Sequence, residues 1–189
     1  MSEVSEALSR FEFPEKLGRF ARRFETFEEV WMECHRADWM FWLLEAFGRG
    51  SRKGLRLFIC TCARRWWVFM PDVRSRRAVD LGERYAAGDA TQGAVEFIRQ
   101  GAVKAAEEAA VLNKPIMARA SRMAVLALEP DVLAAAKEAS TLATAAGHAI
   151  HETESEEKEM AILQEHAQIL RELMGNPFSP APAEGAVGS

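Results

Sequence analysis

Residues 26–50, TFEEVWMECHRADWMFWLLEAFGRG, carry the reading on which the fold class turns. Thr26 and Glu29 stand three apart, the spacing at which each side chain satisfies the other residue's free backbone amide at a helix start. No alternating β-branched run follows, and the next backbone breakers are Gly48 and Gly50, so the spacing predicts one helix from Thr26 to about Phe47. The same punctuation continues along the chain. Ser51 caps a helix to about Met70, and Asp72 opens one that stops at Gly88. Asp89 with Gln92 starts a helix to about Leu112, and Asn113 with Pro115 leads into another that Pro130 halts at Glu129. The alanine-rich segment from Asp131 and a last helix opened by Thr153 and Glu156 complete the series. In that last helix Met160, Leu163, Ala167, Leu170 and Met174 form one apolar face.

The expected architecture is therefore all-α: a single compact multi-helix domain of about seven antiparallel helices over residues 26–174. Residues 1–25 are a partly helical N-terminal extension, and the Pro/Gly/Ala-rich residues 175–189 a disordered, flexible C-terminal tail. A chain of 189 residues buries roughly 70% of its unfolded surface on folding, enough to need no disulfide or metal staple. The apolar runs are too short to span a bilayer, and MSEVSEALSRFEF has no basic region followed by an apolar one. With an odd number of cysteines (Cys34, Cys60, Cys62), these features point to a cytoplasmic protein with reduced, buried thiols.

In a helix through Trp31, Cys34, Phe41 and Trp42, Asp38 falls on the apolar side. A carboxylate left unpaired in a core costs about 3 to 5 kcal/mol, so the expectation is a structural ion-pair cluster of Asp38, Arg64 and Arg74, with Asp38 paired to Arg64 or Arg74 or at least to another arginine. Trp66 and Trp67 are adjacent and cannot share a helix face, which makes Trp67 the candidate for an exposed aromatic anchor.

Three segments, WMECHRADWMFWLLEAF, RKGLRLFICTCARRWWVFM and PDVRSRRAVDLGERYAAG, taken together resemble the all-helical Imm-5-like immunity proteins of bacteria and phages. The resemblance rests on Cys34, Asp38, Trp39, Trp42 and Leu43, then Cys62, Ala63 and Arg64, then Asp72, Arg74 and Ala78. It covers about a third of the chain directly and continues more loosely to about residue 147. It implies a protein that neutralises a toxin or nuclease, and it brings no catalytic residues with it.

Net charge is −4, but residues 49–77 hold nine basic side chains against Asp72 alone, a local +8, while residues 152–189 sum to −6. A basic segment interleaved with tryptophans fits two kinds of partner. The expectation is a non-catalytic protein-binding module that grips its partner through Arg52, Lys53, Arg56 and Trp67. The alternative is a nucleic-acid-binding accessory protein using segment 49–77, which the sequence pI of about 5.7 disfavours.

No catalytic residues, cofactor or metal are expected. Cys60 and Cys62 sit about 200° apart on a helix and cannot share an ion. His148, His151 and Glu152 form an H-x-x-H-E run near a helix end, with His166 a helix further on, but a metal site needs three or four ligands that converge and a second shell to orient them. Neither a phosphate-binding glycine loop nor a G-x-S-x-G elbow is present, and no Cys/His pairing is defensible from spacing alone.

Overall fold

A computed structural model describes residues 2–112, 114–151 and 156–179 of the chain, the side chains of 146–151 excepted. Among the described residues every regular element is helical: α1 Glu3–Arg10, α2 Glu15–Ala21, α3 Phe27–Glu33, α4 Ala37–Ala46, α5 Arg52–Arg65, α6 Val73–Ala87, α7 Gln92–Val111, α8 Pro115–Leu126, α9 Val132–His151 and α10 Glu156–Met174. A 3-10 turn at Trp67–Phe69 follows α5. The all-α class is as expected, with ten α-helices rather than about seven.

The described residues group into two compact units, one formed by residues 2–34 with 176–179 and the other by residues 35–175. The boundary falls at Cys34 because the helix expected from Thr26 to Phe47 is two helices. Cys34 and Arg36 take extended backbone angles between α3 and α4. The capping box that starts α3 forms: Glu29 N–H donates to Thr26 Oγ1 at 3.2 Å and Thr26 N–H to Glu29 Oε2 at 3.1 Å.

In the smaller unit the first residues of the expected flexible tail are held in place. Asn176 Nδ2 donates to the Glu28 carbonyl at 3.0 Å, and the Phe178 ring lies 5.8 Å from Phe27 and 5.9 Å from Trp31. Phe178 is the large apolar side chain of that segment, and its half-buried ring contacts offset the chain entropy that makes proline-rich ends mobile. Residues 180–189 lie outside the described residues.

In the larger unit α5 is the central helix, with α6, α8, α9 and α10 packed round it. Its buried side chains Leu55, Phe58, Ile59, Cys62 and Ala63 follow helical spacing, so one helix supplies apolar surface to several neighbours. Ser51 Oγ caps α5 by accepting from Gly54 N–H at 3.1 Å. At the start of α6, Asp72 Oδ1 accepts from Arg74 N–H at 2.8 Å. Gly88 closes α6 at φ 90°, a left-handed conformation in which a side chain is strained. At α7 the cap is Thr91, accepting from Ala94 N–H at 3.3 Å, rather than Asp89.

Helix α6 comes unusually close to its neighbours at Gly82. A Cβ there would lie 2.9 Å from Cys60 Sγ and 3.0 Å from the Ala127 carbonyl oxygen. Gly82→Ala therefore destabilises by about 1 to 2 kcal/mol in denaturant titration, since overpacking outweighs alanine's better helix propensity. A stabilised Gly82→Ala variant would show that α6 can back away freely.

Candidate functional site

The basic segment faces inward far more than its composition suggests. Arg56 is 4% exposed; its Nη1 donates to the Ala127 carbonyl at 2.5 Å and its Nη2 to the Glu129 carbonyl at 3.0 Å. The guanidinium also stacks on Tyr85, 5.0 Å from the ring centroid. One turn earlier Arg52 Nη2 donates to the Pro130 carbonyl at 3.1 Å. Pro130 ends the helical run, leaving carbonyls with no intrahelical donor, and two arginines spaced i, i+4 on α5 supply the missing bonds. Of the residues expected to grip a partner, Arg56 is thus interior and Arg52 is engaged within the fold, while Lys53 is exposed.

Trp67 is likewise not an open anchor. Helix α5 ends at Arg65, and the 3-10 turn places the half-buried Trp67 ring against two guanidinium groups, 4.2 Å from Arg64 and 5.4 Å from Arg76. The exposed apolar residue of that turn is Val68. Arg76 Nε also donates to the Met70 carbonyl at 2.7 Å, fixing the turn from the side of α6.

Asp38, Arg64 and Arg74 do not form one cluster. Because α4 starts anew after an extended Arg36, Asp38 lies in its first turn, exposed, where a carboxylate favours the helix dipole. It pairs with Arg36, Nη2 to Oδ2 at 2.8 Å, a surface pair worth at most about 1 kcal/mol rather than a buried lock. Arg64 instead bridges Asp80 and Glu83 of α6, each at 2.6 Å. Arg74 grips Asp72 at 2.7 Å and Glu108 of α7, and these hydrogen bonds hold both carboxyls below their ordinary range. Each arginine found carboxylates on the neighbouring helix because the α5–α6–α7 packing brings those faces together.

An exposed groove with both basic and aromatic side chains lies along α6 and α7. It has a volume of about 310 Å³ and is lined by Arg74, Arg77, Phe97, Gln100, Gly101 and Lys104. Phe97 is 75% exposed, and neither Arg77 nor Lys104 is in an ion pair among the described residues. The buried stripe of α7 is Val95, Ala102, Ala105 and Ala109, and Phe97 lies about 200° round the helix from Val95. Helical periodicity alone marks Phe97 as outward-facing.

A second group that spacing did not reveal is buried. His166 of α10 is 1% exposed, with Nδ1 2.9 Å from Ser140 Oγ of α9 and Nε2 3.8 Å from Cys62 Sγ of α5. Phe58 packs edge-on at 5.4 Å. Three separate helices supply the contacts, which is why linear spacing is silent about them. Burial pushes the imidazole pKa down to about 4, with Arg65 adding to the shift, and pushes the Cys62 thiol up to about 12. A nucleophilic cysteine needs the reverse order, with the thiol giving its proton to the histidine, so this contact is a packed hydrogen-bond chain rather than an activated pair.

Among the described residues no three His, Cys, Asp or Glu side chains converge as metal ligands, and no helix is long and apolar enough to cross a membrane. The side chains of His148 and His151, and the whole of Glu152, lie outside the described residues. No protein-family model, curated protein or solved structure matches the chain.

Proposed function

We infer that the protein is a non-catalytic, cytoplasmic protein-binding module of the immunity type, neutralising a toxin or nuclease as its Imm-5-like resemblance implies. The observation supporting this reading is the α6–α7 groove, where an aromatic ring that is 75% exposed stands beside Arg77 and Lys104. An exposed aromatic beside arginine is the residue pairing that dominates protein interfaces, and the charge selects a partner presenting carboxylates next to an apolar side chain. The nucleic-acid alternative loses its main support, since Arg52, Arg56, Arg64, Arg65, Arg74 and Arg76 are all engaged with carbonyls or carboxylates of the fold.

The test captures partners from the native host with wild-type and Phe97→Glu baits in parallel. The expected result is a protein held by wild type alone, its affinity lowered about 30-fold or more by the substitution and its own activity blocked by the wild-type chain. Equal capture by both baits, or recovery of nucleic acid alone at physiological salt, would overturn the reading.

A further inference from the structure

A separate cavity of about 440 Å³ opens between α4, α9 and α10 and is independent of the protein-binding reading. Its volume falls in the range of small-molecule sites. Phe41 and Leu163 give it an apolar wall and Ser140 a buried polar floor, while Asp38, Thr141, Thr144, Lys137 and Glu159 supply the polar rim.

The hydrogen-bonding character of that rim is one-sided. Thr141 Oγ1 donates to the Lys137 carbonyl at 3.0 Å and Thr144 Oγ1 to the Ser140 carbonyl at 3.0 Å. Their hydroxyl protons are thereby directed back into α9, and lone pairs are what they have left to offer a ligand. The Lys137 ammonium is neutralised by Glu45 at 2.5 Å. Asp38 shares its charge with Arg36, but Glu159 is in no ion pair among the described residues. Behind the floor, Ser140 is hydrogen-bonded to His166, which burial keeps uncharged at neutral pH. Among the described residues the cavity therefore combines apolar walls, acceptor oxygens and one uncompensated carboxylate.

We propose that the cavity between α4, α9 and α10 binds a small protonated amine with an apolar body, its ammonium held by Glu159 and the Thr141 and Thr144 hydroxyl oxygens and its body against Phe41 and Leu163. A carboxylate ligand meets Glu159 with like charge, and a neutral one forgoes the charge-assisted bond.

Phenethylamine is the probe, with 2-phenylethanol and 3-phenylpropionate as the neutral and anionic comparisons, followed by NMR on the full chain. Phenethylamine is expected to shift the resonances of Phe41, Ser140, Thr144 and Leu163, with a Kd of about 1 mM or tighter, and Glu159→Gln to weaken it about tenfold. Because Glu159 is exposed, that variant tests the site without threatening the fold. No shift at these residues by about 10 mM phenethylamine would overturn the proposal. So would equal binding of 3-phenylpropionate, unchanged affinity in Glu159→Gln, or binding of Nα-acetyl-lysine methylamide without phenethylamine, which would assign the cavity to a partner's lysine.

Discussion

Arg56→Met lowers the stability of the 35–175 unit by about 3 kcal/mol, read as a fall in melting temperature of about 6–12 °C. Methionine matches the length and apolar stem of arginine, so the substitution isolates the guanidinium. Its removal leaves the Ala127 and Glu129 carbonyls without their donor, and a buried acceptor left unsatisfied costs about 1 to 3 kcal/mol. The stacking on Tyr85 is lost with it. Opposing these losses is the relief of no longer burying a charge, a burial that already lowers the arginine's own pKa. The carbonyls decide the sign because two of them depend on one side chain. Arg56→Lys should fall between, since an ammonium reaches the same region without the planar fork. A methionine variant as stable as wild type would mean that water replaces the guanidinium at the end of α8.

Acid weakens the fold through His166. The folded-state pKa, about 4, lies below the ordinary value of 6.5, so between those limits the unfolded chain binds the extra proton and the folded chain does not. Stability therefore rises with pH across this window. It falls by about 3 kcal/mol as pH drops from 6.5 to 4, and the contribution is fully present above 6.5. Carboxylates held below their ordinary range, Asp72 and Glu108 among them, add their own loss at lower pH, and subtracting a His166→Gln variant removes that background. The difference between the two pH profiles should lose its slope above pH 6.5 and steepen below it. Parallel profiles for wild type and variant would show that the imidazole titrates equally in both states and that the Ser140 contact is open to water.

Helix identity and most helix ends were legible in the residues themselves. Thr26, Ser51, Asp72, Gly88 and Pro115 stand where the chain enters or leaves a helix, because capping and backbone freedom act within a few residues of the atoms they satisfy. Local rules failed where two readings were both locally acceptable. Nothing near Cys34 forbids helix, and the uninterrupted stripe from Trp31 to Phe41 favoured it. The break there puts Asp38 on the surface beside Arg36 instead of among aromatics.

The destination of each arginine was not legible at all. A run of basic residues reads as a surface, yet Arg56 lies in the interior because the chain end of α8, more than seventy positions later, leaves carbonyls to which the Arg56 guanidinium donates. Fold class and helix punctuation follow from interactions between residues a few positions apart, and the sequence alone determined them. The groove at Phe97, the Ser140–His166–Cys62 chain and the acceptor-lined cavity each join residues of different helices. Only the packing of those helices decided them, because burial, charge pairing and pKa depend on which faces meet.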